Sequence, residues 1–144
     1  MKTLEDLFRT ISIVWAVLLL SQFMFLFVLS QAAPDALKFD PAAPVLGENA
    51  VFIIAFAFLA IVNLVLSHVI KRRSFEQALV DKNPKLVQTG IIIGCAFCEA
   101  VSIFGMVLAL VFSYQYFFVW FILGIAGIVS HIPRRKDLYA AGGK

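Results

Sequence analysis

The sequence predicts an all-α integral membrane protein with four transmembrane helices in an antiparallel bundle and both termini in the cytoplasm. Three observations predict it. Of the 144 residues, 62% are hydrophobic and 15% are charged, whereas soluble domains are about half apolar and about a quarter charged. The charges are clustered and leave long uncharged runs. The basic residues lie beside these runs in an alternating pattern, which favours a defined orientation in the membrane.

The uncharged runs are long enough to span a membrane. Residues 10–31 and 49–70 carry no charge, and Glu99 is the one charged residue within 86–133. A spanning helix needs about 20 mostly apolar residues, because each residue adds about 1.5 Å along the axis. The last run is therefore long enough for two spans, and irregular backbone cannot face hydrocarbon. The predicted spans are residues 11–30, 51–70, 87–111 and 115–132.

Polar segments separate the predicted spans and define a single membrane domain, residues 1–144. Residues 31–48, rich in Pro and Ala, are expected to form an external loop, and residues 71–85 a cytoplasmic loop. A cytoplasmic tail is expected over residues 133–144. The third and fourth spans meet in an aromatic turn at 113–116, so these two helices are expected to be antiparallel neighbours.

The orientation rests on the basic residues next to the spans. Segment 71–85 and the tail are rich in them, whereas loop 31–48 has only Lys38 and turn 113–116 has none. The net charge of +3 therefore indicates topology and attraction to the lipid bilayer, not nucleic-acid binding. The residues expected to set the topology and contact lipid headgroups are Lys71, Arg72, Arg73, Arg134, Arg135 and Lys136.

The first apolar run has an alternative interpretation as a signal-peptide core, with a small-residue cleavage site at residues 30–32. The run covers about 20 residues, which is long for such a core, and the residues before it carry as many acids as bases. We therefore expect a retained span. The predicted location is a bacterial inner membrane, with an organelle membrane left open.

The third predicted span carries a stripe of small residues at intervals of three to four positions. Small residues at this spacing allow two helix backbones to approach closely in lipid. The stripe therefore predicts close helix packing. Its members are Gly90, Gly94, Cys98, Ser102, Gly105 and Ala109.

Glu99 lies in the same span, about 12 residues and roughly 18 Å from its cytoplasmic end. A charge near the bilayer centre costs about 3 kcal/mol or several times more, so acids there are rare and usually mark proton or ion pathways. Such surroundings favour the neutral acid. We predict a proton-binding group at Glu99, with Gln22 as its hydrogen-bond partner and Ser102 one turn along the helix. The alternative is a neutral acid that only joins two helices.

The residues around Glu99 also form a longer pattern, in which the acid is followed by Ala, small or polar residues, an aromatic residue, Gly and an aliphatic run. Together with the Lys-Asn-Pro at 82–84, this pattern covers about 30 residues. It resembles the carboxylate-bearing helix and cytoplasmic loop of the c subunit of rotary ATP synthases. The resemblance implies that Glu99 is a proton-binding carboxylate. Ala100 stands where sodium-binding members usually carry a hydroxyl residue, which favours protons.

Three functions are compatible with these features. The first is a c-like subunit, not itself an enzyme, that binds a proton within a larger ion-translocating complex, as a homo-oligomer or with other membrane subunits. The second is a structural or assembly protein whose small-residue stripe packs against partner helices. The third is a small pH-dependent transporter or channel. No phosphate-binding loop, nucleophile triad or zinc signature occurs in the sequence, and no cofactor is expected.

The remaining candidate residues have ordinary structural explanations. Cys95 and Cys98 form a C-x-x-C on an apolar helix, where they are expected to be small packing residues. His68 and His131 lie near the cytoplasmic ends of their spans, where we expect them to cap a helix or extend toward the headgroups. A metal site is not expected.

Overall fold

The computed structural model describes residues 3–142, and all regular structure within them is helical. Single turns of 3-10 helix lie at Pro34–Leu37 and Gln115–Phe117. The α-helices of the described residues are α1 (Leu4–Ala32), α2 (Ala50–Asp81), α3 (Pro84–Phe112), α4 (Phe118–Ser130) and α5 (Arg135–Ala141).

Three of these helices are long and apolar enough to cross a membrane. Helices α1, α2 and α3 contain 29, 32 and 29 residues. A fourth span requires that the 3-10 turn at Gln115, α4 and α5 be taken together, although a bend of 50° separates α5 from the rest. The prediction of a helical bundle with several candidate spans is thus confirmed, with three to four spans.

The fourth predicted span, residues 115–132, is a shorter helix than expected. Helix α4 has 13 residues, which corresponds to about 20 Å. Its start is delayed because Tyr116 has non-helical backbone angles in the preceding turn. It ends at Ser130 because Pro133 lacks an amide hydrogen and disfavours helical backbone in the residue before it.

The predicted loop at residues 71–85 is mostly helix, which corrects the expectation. Helix α2 continues to Asp81, because residues 71–81 are largely good helix formers. The reversal takes only Lys82, in the left-handed region with φ of 48°, and Asn83, whose side chain caps α3. Pro84 occupies the first turn of α3, where no amide hydrogen is needed. Helices α2 and α3 therefore form a tight antiparallel hairpin.

We expect Lys82→Gly to raise the free energy of unfolding by about 0.5 to 1 kcal/mol, because glycine adopts left-handed backbone without a Cβ clash. Lys82→Ala removes the same charge but keeps the Cβ atom, so no such gain is expected. Thermal unfolding in detergent would compare the two variants. Equal unfolding temperatures would contradict this explanation.

The hairpin packs along its whole length and leaves an apolar outer face. Near the turn of α3 into α4, the rings of Phe52 and Phe112 stack with centroids 4.9 Å apart. On the outer face of α2, Val51 and Phe58 are 78% and 65% exposed. Large exposed apolar surfaces of this kind are covered by lipid or by a partner in stable proteins.

The two ends of the bundle are closed by the connecting segments. The predicted external loop folds over the turn at 113–116. There the side-chain amide of Gln115 accepts a hydrogen bond from the backbone N–H of Asp40 at 2.6 Å and donates one to the backbone carbonyl of Asp40 at 2.8 Å. The predicted tail contains α5, from which Tyr139 donates to Glu5 at 2.8 Å. Residues 143 and 144 of that tail lie outside the described residues.

Candidate functional site

Glu99 lies close to the middle of α3, about 22 Å along the axis from Pro84 and about 20 Å from Phe112. Its side chain is partly buried and faces α1. The distance from its Oε1 atom to the Ser21 Oγ atom is 2.5 Å. The acid therefore sits far from both ends of the helix, in contact with a hydroxyl group of the neighbouring helix.

Glu99 has no ionic partner within residues 3–142. The ion pairs formed there are exposed and lie near the ends of the bundle. A buried carboxylate is normally stabilised by an opposite charge or by several donors. Here the described hydrogen bonds of the carboxyl group come from Ser21 alone.

The hydroxyl group of Ser21 lies within hydrogen-bond distance of two oxygen atoms. The Ser21 Oγ atom lies 2.7 Å from the Leu18 carbonyl oxygen as well as 2.5 Å from the acid. A hydroxyl group has one proton to donate and two lone pairs, and a carbonyl can only accept. If Glu99 is protonated, it donates to Ser21 while Ser21 donates to Leu18. If Glu99 is ionised, only one of the two contacts can be a hydrogen bond.

Ser21, and not the predicted Gln22, is the hydrogen-bond partner of Glu99. Successive residues of a helix point about 100° apart. Ser21 therefore reaches Glu99, whereas Gln22 points into the bundle and is fully buried. Both polar atoms of the Gln22 amide, and the hydroxyl group of the fully buried Ser102, lack hydrogen-bond partners within the described residues.

The register of α1 and α3 places these two unpaired polar side chains at the same level. Both helices run in the same direction, and they share apolar clusters with residues 80 positions apart in the sequence: Ile11 with Ile91, and Leu29 with Ala109. Gln22 and Ser102 have the same offset of 80, and Gln22 follows Ile11 by three helical turns. The buried side chains of Gln22 and Ser102 therefore form a polar level in the core, close to the level of Glu99.

The small-residue stripe packs α3 against helices of the same chain. A Cβ atom on Gly90 would lie 2.5 Å from the Ser74 Cβ atom of α2. One on Gly94 would lie 2.6 Å from the His131 ring, just after α4. One on Gly105 would lie 2.6 Å from the Trp120 Cβ atom.

The other members of the stripe fit into α4 or beside it. Cys98 and Ser102 fill the space left by two glycines of α4, Gly127 and Gly124. Ala109 is buried in an apolar cluster with Phe117. All six members of the stripe are buried. Sequence reasoning missed the two α4 glycines, although small residues within an apolar run are typical of close helix contacts in lipid.

Sequence reasoning also missed a polar cluster around His131. This side chain is fully buried, and its ring lies 5.0 Å from that of His68. Its two ring nitrogens lie 2.7 Å from the Gly127 carbonyl oxygen and 3.2 Å from that of Ser67. His131 therefore joins the end of α4 to α2 in the interior, whereas capping or extension toward the headgroups was expected.

The residues predicted to contact lipid headgroups lie at one end of the bundle. Lys71, Arg72 and Arg73 follow the apolar part of α2, and Arg134, Arg135 and Lys136 lie at the start of α5. Lys71 connects α2 to the end of α4, because its Nζ atom donates to the Ser130 carbonyl at 2.9 Å. We call this region the basic end.

The free cysteines Cys95 and Cys98 are both buried in the core. Among the described residues, no group of three His, Cys, Asp or Glu side chains is placed to hold a metal ion. No family model matches the chain, and neither a curated protein nor a solved structure is detectably similar to it.

Proposed function

We propose that this chain binds a proton at Glu99, as a non-enzymatic subunit of a larger ion-translocating membrane complex. The observation that carries the proposal is the contact of Glu99 with Ser21 in the middle of the bundle. Protonation of the acid is the state in which both described contacts of Ser21 become hydrogen bonds. The c-subunit resemblance around Glu99 agrees with this role and belongs to the same proposal.

The position of the acid suits a group that gains and loses a proton. Glu99 is only partly buried, at the boundary of α1 and α3. A proton can leave or arrive there when a partner subunit or a water molecule contacts the carboxyl group. A fully enclosed acid would bind its proton without a route for exchange.

The proposed topology places the basic end in the cytoplasm. Lys71, Arg72 and Arg73 lie there together with the residues that begin α5, and cytoplasmic ends carry an excess of basic residues. With four crossings both termini are then cytoplasmic. A bacterial inner membrane is the proposed location.

Labelling by a hydrophobic carbodiimide tests the proposal, because this reagent attacks protonated carboxyl groups in apolar surroundings. We expect labelling of Glu99 at neutral pH in purified protein, detected by mass spectrometry of its peptides. Glu99→Gln should abolish the labelling. The matched variant Glu76→Gln changes an exposed acid of α2 and should leave it unchanged. A Glu99 that stays unlabelled would overturn the proposal.

The unpaired Gln22 and Ser102 favour a second candidate, a small pH-dependent transporter, because polar groups across the core can form part of a path. Reconstituted protein should then give a pH-dependent flux that Glu99→Gln removes. Flux equal to that of empty vesicles would exclude this candidate. An assembly role through the small-residue stripe has less support, because the chain's own helices bury it.

A further inference from the structure

A cavity of about 390 Å³ opens at the basic end, between α2, α3 and α5. Three basic side chains of α2 line it, those of His68, Lys71 and Arg72, against a single acid, Asp137 of α5. The cavity therefore has an excess of positive charge. It begins where the uncharged run of α2 stops, so it lies at the boundary between apolar and polar surroundings.

Lys71 and Arg72 are each held by one hydrogen bond and keep further N–H donors for a ligand. Lys71 uses one of its N–H groups on the Ser130 carbonyl, and an ammonium group has three. Arg72 uses its Nε on Glu76 at 2.8 Å, and a guanidinium group has five N–H donors. Since Lys71 is partly buried and held by α4, its ammonium group has a defined position in the cavity.

The opposite wall of the cavity is apolar. Val87 and Ile91 of α3 lie behind it, and the partly exposed ring of Phe75 of α2 adds apolar surface at its edge. An anion with an apolar chain fits this combination, because the charged part meets Lys71 and Arg72 while the chain packs against Phe75. Basic pockets between membrane helices bind phosphate-containing headgroups for the same reason.

We propose that this cavity binds the phosphate group of an anionic phospholipid, with Lys71 and Arg72 as donors. The apolar wall favours a lipid over a free phosphate ion. The site lies about three to four turns of α3 away from the level of Ser102 and does not depend on a function of Glu99.

Lipid titration of the purified full chain in detergent tests the site. Phosphatidylglycerol should bind in native mass spectrometry and raise the unfolding temperature, more than the zwitterionic phosphatidylcholine does. Lys71→Gln should weaken phosphatidylglycerol binding about fivefold to tenfold. Lys85→Gln removes the same charge from an exposed residue in the first turn of α3, outside the cavity, and should change binding less than twofold. Arg72→Gln provides a second cavity variant if Lys71→Gln does not fold.

Two results would overturn the proposal. Equal weakening by the cavity variants and by Lys85→Gln would mean that lipid is attracted by diffuse surface charge. Inorganic phosphate that displaces the lipid at equal concentration would assign the cavity to a free anion. If the lipid stays bound in the presence of inorganic phosphate, and Lys71→Gln weakens binding more than Lys85→Gln does, the cavity is a lipid site.

Discussion

Gly105→Ala is expected to lower the free energy of unfolding by about 2 to 3 kcal/mol, at the upper end of the cost of overpacking a core. The added Cβ atom would lie 2.6 Å from the Trp120 Cβ atom and 2.9 Å from the Phe117 carbonyl oxygen. Neither atom can turn away by a side-chain rotation. The helices α3 and α4 must therefore move apart, and the contacts of the buried Trp120 are lost.

Gly142→Ala is the matched control for this substitution. Its Cβ atom would lie 3.2 Å from the Leu4 Cδ1 atom, the end of a flexible side chain. We expect a change of less than about 0.5 kcal/mol, because the leucine can rotate away. Reversible unfolding in mixed micelles measures both variants. If both lower the free energy of unfolding equally, the proposed close packing of α3 on α4 is wrong.

Gln22→Met is expected to raise the free energy of unfolding by about 1 to 3 kcal/mol. The Gln22 amide is fully buried, and neither of its polar atoms has a partner within the described residues. A buried polar group without hydrogen bonds costs about this amount, and methionine has a similar length and shape without polar atoms. A stabilising substitution in a core is rare, which makes the sign of the change informative.

Gln31→Met is the control, because Gln31 is exposed at the end of the same helix. Its free energy of unfolding should change by less than about 0.5 kcal/mol. A destabilised Gln22→Met would show that a bound group satisfies the amide and that the polar level of Gln22 and Ser102 is occupied. Carbodiimide labelling of Glu99 should persist in Gln22→Met, because Ser21 is the hydrogen-bond partner of the acid.

Much of the helical architecture could be predicted from the pattern of charges. The uncharged runs located α1, α2 and α3, because hydrocarbon excludes both charges and irregular backbone. The same pattern did not predict that the polar residues 71–81 continue α2 as helix. It overestimated the length of α4, because hydropathy does not report the non-helical turn at Tyr116.

The candidate site could be predicted only in part. Glu99 was evident as the one charge in a long apolar run. Its partner was not, because depth along α1 is the same for Ser21 and Gln22 while their directions differ by about 100°. The role of His131 was also hidden, because its burial depends on the space left by Gly94 on another helix.

The sequence by itself determined the helical class of the protein, the approximate positions of the long helices and the place of Glu99 near the middle of one of them. These properties follow from the local transfer of apolar and charged groups between water and lipid, which needs no knowledge of the neighbouring helices. The tertiary structure decided that Ser21 contacts Glu99, that the small-residue stripe packs against α2 and α4, and that Lys71 faces a cavity. These properties depend on the rotation and register of the packed helices, which arise from contacts between residues far apart in the chain.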